Sequence, residues 1–290
     1  MPKYLRVNKN TLVSLDRRDA ASWEKVTSGK IGVFASILRE NGYRTGDIRA
    51  ILVLGTGNGS EAQCLAEAFP DAFVVAVDIA DYRLPGLSGP FEFVQCDARR
   101  MPFGGSLFDL VYSYHTLEHI QNPEMAVAQA WHALRPGGIM YAGTPNKYRL
   151  LAYFNTPDVS IARRIQWNAR EWADRLCFRW SNEKGAHAGF TRNGLLRLMA
   201  QYGFEHVRDV SALYFVSMYR SKTKIIRLLE RTKLSEIVFP SVYCLAAKPL
   251  SENGNQTSEV SSHQSPERSC PAFPSLAKPR MSSRKNANGT

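Results

Sequence analysis

Residues 50–59, Ala-Ile-Leu-Val-Leu-Gly-Thr-Gly-Asn-Gly, constrain this chain more than any other stretch. A short apolar run stops at three glycines two apart, Gly55, Gly57 and Gly59. Beyond them, positions 62, 65, 66 and 69 are apolar, which is helical spacing, so the glycines occupy a strand-to-helix turn. A second apolar run, residues 73–77, ends at Asp78. Glycine lets backbone approach a ligand that a Cβ would push away. A carboxylate at the next strand tip can accept both hydroxyls of a ribose. The pair reads as a nucleoside site. The glycine pattern departs from G-x-G-x-x-G, because the third glycine comes one residue early.

Further strands are expected at 91–95, 108–113 and 139–143. The first ends at Cys96-Asp97-Ala98, an acid placed to hold a base edge. Asn122-Pro123-Glu124 reads as a helix start, with Asn capping, Pro in the first turn and Glu meeting the dipole. That helix carries Val127, Ala130, Trp131 and Leu134 on one face and stops at Arg135-Pro136-Gly137-Gly138.

In order and spacing, five pieces across about residues 48–146 resemble the class I S-adenosylmethionine-dependent methyltransferases, especially those related to the ubiquinone-biosynthesis enzymes. The pieces are Leu54–Gly59 with Asp78, Cys96-Asp97-Ala98, Phe108–Val111, Leu117-Glu118-His119-Ile120 and Leu134–Gly138. The resemblance implies an α/β fold: a Rossmann-like, doubly wound, seven-stranded and mostly parallel sheet with a reversed last strand, plus a helical insertion. It implies S-adenosyl-L-methionine as cofactor, with Gly55, Thr56, Gly57 and Gly59 in the cofactor turn. Asp78 and Ile79 would lie at the ribose, Asp97 and Ala98 at the adenine, and Tyr114 beside them. One departure stands out. Where the family carries an acid two residues before the first glycine, to orient the cofactor's amino-acid end, this chain has Val53.

Methyl transfer from a sulfonium is an in-line displacement, so alignment dominates and no metal is required. A general base helps when the acceptor is a hydroxyl. His115 is the candidate base or acceptor-orienting residue, with packing against the adenine as the plainer alternative. Glu118 and His119 are expected to cap and anchor the next helix, and His187 is a second candidate base. His115–His119 also spells H-x-x-E-H, a zinc-peptidase pattern. It falls between a strand end and a helix start, where that chemistry has no helix to use.

Three segments flank this core. Residues 1–47 read as an N-terminal helical segment, with a helix over 19–41 stopped by Gly42. It is a lid over the cofactor or a packed helix, with Trp23 and Thr27-Ser28-Gly29 as the lid candidates. The methyltransferase domain spans 48–248, with an aromatic and arginine-rich helical insertion at about 147–185. The insertion reads as an acceptor lid or as a helix pair packed on the core. A helix over 192–202, a strand at 204–210 and a closing strand at 241–247 complete the domain. Residues 249–290 are rich in Ser, Asn and Pro and are expected to be disordered.

The net charge of +11 suits an anionic partner or simply a basic surface. The basic amphipathic stretch 220–238 could meet an anionic membrane or dock with a solvated face. No nucleic-acid module is visible, so a small-molecule acceptor ranks first, whether aromatic, lipid-like or anionic. A divergent cofactor-binding scaffold is the alternative, and a dehydrogenase the weakest. Five scattered cysteines imply neither a disulfide framework nor a zinc site. No run reaches the roughly 18–20 apolar residues of a membrane span. Met1–Asn10 lacks the apolar core of a signal peptide, so a cytoplasmic protein is expected.

Overall fold

A computed structural model describes residues 17–84, 89–150, 159–177 and 189–250. Helix α1 (Arg17–Glu40) leads into β1 (Ala50–Leu54), α2 (Ser60–Ala68), β2 (Phe73–Asp78), β3 (Phe91–Gln95) and β4 (Phe108–Tyr114). Then come α3 (Pro123–Ala133), β5 (Leu134–Pro145), α4 (Ile161–Leu176), α5 (Arg192–Gln201) and β6 (Glu205–Asp209). The last elements are α6 (Ser211–Met218), α7 (Thr223–Arg231), α8 (Ser235–Val238) and β7 (Ser241–Ala247).

The strands form one seven-stranded sheet in the order β3-β2-β1-β4-β5-β7-β6. All neighbours are parallel except β7, which runs antiparallel to both β5 and β6. The expected doubly wound sheet with a reversed last strand is therefore the fold. The apolar run of β1 has a simple cause: it is covered on both faces. Ile51 and Val53 join one core cluster, with α1, α2 and α6. Leu52 and Leu54 join the other, with α3 and α5. Parallel strands buried on both faces read as continuous apolar sequence. On the first face Phe34 packs its ring 5.1 Å from Tyr112 and 4.7 Å from Tyr141. Buried Asp109 ties strand starts together, accepting from the Ala50 N–H and pairing with Arg135 at 2.7 Å.

Sheet order places the site. The chain enters at β1, winds outward to β3, then returns to β4 on the other side of β1. Open α/β sheets bind ligands at this reversal, outside the carboxyl ends of the strands.

Several local expectations need correcting. Asn122 precedes α3, but in the left-handed region (φ 58°) and with no side-chain cap. Leu134 is not on that helix; it begins β5, which runs straight through Pro136 and Gly138. Residues 220–238 are not one helix: Lys233, at φ 59°, separates α7 from α8. Helix α6 was not expected at all. By contrast, Thr191 caps α5 by accepting from the Gly194 N–H at 2.9 Å. Of the insertion, α4 and its approach from Lys147 are described; Tyr153, Phe154, Phe178, Trp180 and His187 lie outside the described residues, as do the Trp23 side chain and the tail after 250.

Candidate active site

The glycine turn is built by backbone strain that only glycine relieves. Gly55, Gly57 and Gly59 all have positive φ, at 72°, 52° and 87°. The N–H groups of Gly55 and Thr56 both donate to the Val77 carbonyl, at 2.9 and 3.1 Å, which folds the turn over the tip of β2. A Cβ on Gly55 would collide with the Thr116 side chain, itself fixed by donating to the Leu54 carbonyl at 2.9 Å. At Gly57 a Cβ would meet open space, so that position is a cradle facing the cavity.

Asp78 locks this arrangement. One carboxylate oxygen accepts from the Gly57 N–H at 2.8 Å, the other from the Ile79 N–H at 2.8 Å. Burial pushes this carboxyl up, and the N–H groups of Gly57, Ile79 and Ala80 oppose the shift.

A cavity of about 930 Å³ opens beside the turn. That is the upper range for small-ligand sites. Gly55, Gly57, Asp78 and Ile79 line it, followed by Cys96, Asp97 and Ala98 from the end of β3. Asp97 is clamped by Arg99, whose Nε donates at 3.0 Å and Nη2 at 2.7 Å. The Arg99 guanidinium holds this carboxyl below its usual range. Burial, with help from Asp97 and Asp78, pushes the Cys96 thiol up to about 11, which leaves it inert at neutral pH.

The tip of β4 supplies the next wall. His115 takes a left-handed conformation (φ 52°), uncommon for a residue with a side chain. Its ring stacks on Tyr114 at 4.5 Å, and its Nε2 lies 3.3 Å from the Ser241 hydroxyl. On the other edge, Nδ1 is 3.6 Å from Glu118. Glu118 and His119 do not cap α3. They sit in a 3-10 turn, Leu117–His119, set apart from that helix. Glu118 is fully buried, and its carboxyl oxygens have no partner beyond its own backbone N–H. Burial drives its pKa up to about 8, opposed by its own backbone N–H and by the charge of Arg149. His119 lines the cavity, and burial lowers its pKa. The H-x-x-E-H pattern is thus a 3-10 turn in which two histidines flank one carboxyl.

At the far wall stand Pro145, Arg149, Pro240 and Ser241. Arg149 has a side chain only 4% exposed and pairs with Glu171 of α4 at 2.9 Å. Trp172 of α4 donates to the Leu150 carbonyl at 2.8 Å, so the insertion is fastened to this wall.

Among residues expected at the site, Gly55, Gly57, Asp78, Ile79, Asp97, Ala98 and His115 come together around the cavity. Thr56, Gly59 and Tyr114 do not line it. Thr56 is buried, Gly59 starts α2, and Tyr114 backs His115. Arg99 and Ser241 were not anticipated; Arg149 belongs to the arginine-rich insertion read as an acceptor lid, and it lines the cavity.

Residues 52–142 match the family model described as a methyltransferase domain. The malonyl-[acyl-carrier protein] O-methyltransferase of Methylococcus capsulatus is 33% identical over 203 residues, covering 64% of this chain and 69% of that protein. A trans-aconitate 2-methyltransferase of an Acidovorax species is 26% identical over 204 residues, covering 66% and 70%. A sterol 24-C-methyltransferase of Gibberella zeae matches over a shorter span, 98 residues at 32% identity, covering 31% of this chain and 26% of that protein. The plantazolicin methyltransferase BpumL, solved with a monoazolic desmethylPZN analog and SAH, shares the fold. It has a TM-score of 0.53 at 12% identity, covering 83% of this chain and 90% of that one. The glycine turn, the sheet order and these likenesses agree: the chain belongs to the class I S-adenosylmethionine-dependent methyltransferases.

Proposed function

We propose that the cavity binds S-adenosylmethionine along Gly55, Gly57, Asp78, Ile79, Asp97 and Ala98, and admits a small-molecule acceptor past His115, Arg149 and Ser241. One observation carries this reading: Asp78, its carboxylate pinned by the Gly57 and Ile79 N–H groups, on the cavity wall at the β1–β2 tips. With three N–H groups on it, the carboxylate keeps acceptor capacity for a ribose hydroxyl. The open Cβ position at Gly57 leaves room for the ligand to approach the backbone.

When bound, the cofactor supplies an electrophilic methyl group. The protein's work is alignment and proton handling. His115 Nε2 takes the proton of a hydroxyl or amine acceptor as the new bond to the methyl carbon forms. A carboxylate acceptor would need no base. Arg149 on the cavity wall is paired with Glu171, so an anionic acceptor would share its guanidinium with that carboxylate. The methyltransferase of Methylococcus capsulatus named above acts on a malonyl group, and a carboxylate acceptor would suit Arg149 here too.

Titration calorimetry with S-adenosylhomocysteine, with NAD as control, tests the cofactor site. Micromolar binding of the first alone is expected. Binding of NAD alone, or of neither, would remove this assignment and bring back the dehydrogenase or the scaffold.

The reading extends to a surface. Helix α7 exposes Lys224, Arg227 and Arg231 beside Ile225 and Leu228, each about 60% exposed. Such a face suits peripheral contact with an anionic membrane. Among the described residues no helix is long and apolar enough to cross one. Co-sedimentation with vesicles containing anionic lipid is expected, and should weaken at high salt. Equal partition with neutral vesicles, or none with either, would rule the contact out.

A further inference from the structure

Helix α4 is amphipathic with its two sides exchanged. Ile161, Ile165 and Leu176 are 74%, 64% and 74% exposed. With the exposed Ala169 and Ala173 they form one stripe at i+4 and i+3 steps along the helix. The sheltered side instead carries Arg164, Asn168 and Glu171, beside Trp167 and Trp172. Glu171 is only 8% exposed. A helix on a globular protein ordinarily turns its apolar stripe to the core. Here the stripe points away from the protein. Single exposed apolar residues need no explanation, but a continuous patch marks a contact surface.

The inner side of α4 is fastened to the cavity. Trp172 donates to the Leu150 carbonyl, and Glu171 pairs with Arg149, which lines the far wall. On either side of Arg149, Tyr148 and Leu150 are 56% and 45% exposed. The same segment holds α8. The Leu150 N–H donates to the Ile237 carbonyl at 2.8 Å. The Asn146 amide donates to the carbonyls of Glu236 and Phe239, at 2.7 and 2.9 Å. Helix α8 follows α7 in the chain, so residues 146–150 tie both α4 and the α7–α8 pair to the far wall.

Charge indicates what covers the stripe. The exposed side chains described on α4 include Arg163 and Arg170 and no acid. Those on α7 include three cations beside Ile225 and Leu228, and its one acid, Glu230, is bound to Arg192 at 2.9 Å. An apolar stripe bordered by cations suits the headgroup boundary of an anionic membrane. A second copy of the chain, of net charge +11, would set these cations against their own kind. We propose that α4 is an apolar anchor that enters an anionic lipid surface beside the far wall of the cavity. The proposal rests on the membrane contact read above for α7 and names the element that enters the lipid.

Sedimentation of the full chain with vesicles tests this, with phosphatidylcholine plus phosphatidylglycerol against phosphatidylcholine alone. Ile165→Asp puts an anion in the middle of the stripe. Met125→Asp makes the same change at an exposed apolar residue of α3 and is the control. Ile165→Asp should bind the anionic vesicles at least tenfold more weakly than the parent, and Met125→Asp within twofold. Urea unfolding midpoints should match the parent in both, which shows that each variant is folded. Equal binding by Ile165→Asp and the parent would overturn the proposal and leave the α7 contact in place. Equal losses in Ile165→Asp and Met125→Asp would also overturn it, because net charge alone would then explain them. A parent dimer that Ile165→Asp splits, with vesicle binding unchanged, would assign the stripe to a second copy. If the parent binds no anionic vesicle, the membrane reading of α7 falls and takes this proposal with it.

Discussion

Asp78→Ala should weaken S-adenosylhomocysteine binding by about 2–3 kcal/mol, on the order of 100-fold. Two losses add. The variant removes a charged acceptor from the cavity wall, where hydrogen bonds to charged groups are worth more than neutral ones. It also releases the Gly57 and Ile79 N–H groups, which now end on the two carboxylate oxygens. Gly57 sits at φ 52° with nothing beyond its Cα on the cavity side, so Asp78 is a principal restraint on that part of the turn. Asp78→Asn should fall between parent and alanine. Its amide can accept at one position but must turn an NH2 group toward the other N–H donor. Calorimetry gives the affinity, and a urea melt of each variant reports the fold. A loss under about threefold in Asp78→Ala, with the fold intact, would remove Asp78 from the cofactor site.

The parts of this site that were readable in the sequence are those fixed locally. Gly55, Gly57 and Gly59 need positive φ whatever surrounds them, and the strand tips at Asp78 and Asp97 follow from where apolar runs stop. Long-range placement was not readable. Arg149 follows β5 and Ser241 opens β7, and only the antiparallel pairing of Pro145 with Ser241 brings them to one wall. Helix α6 escaped because Ala212-Leu213-Tyr214-Phe215-Val216 is an unbroken apolar run, which periodicity cannot divide between helix and strand. The break at Lys233 escaped for the opposite reason: a lysine with positive φ has no sequence signal. Glu118 was placed by analogy with a capping acid, yet the 3-10 turn at 117–119 rotates it inward, beneath His115.

That inward carboxyl sets the second large effect. Glu118 titrates near 8 in the folded chain, against a usual value of 4.5. Between those limits the folded state binds a proton that the unfolded state has released, so stability falls as pH rises. The contribution is fully present below about pH 4.5 and lost as pH climbs through about 8. Its size is about 2–4 kcal/mol, because the ionised form would be a buried carboxylate with no partner beyond its own backbone N–H. Glu118→Gln keeps the shape and removes the titration. Urea unfolding at pH 5, 7 and 9 should therefore show the parent losing stability steadily and the variant losing much less. By pH 9 the variant should be the more stable of the two. A shallower slope will persist in Glu118→Gln, because Glu61, near 7, titrates in the same direction. Parallel curves for parent and variant would mean that Arg149 keeps Glu118 ionised throughout. The distinction bears on chemistry as well. Below pH 8 the carboxyl beside His115 is neutral and adds no fixed charge; above it, an anion stands 3.6 Å from Nδ1. Any acceptor whose proton passes to His115 should then show a change in rate through the same pH window, and that change should vanish in Glu118→Gln.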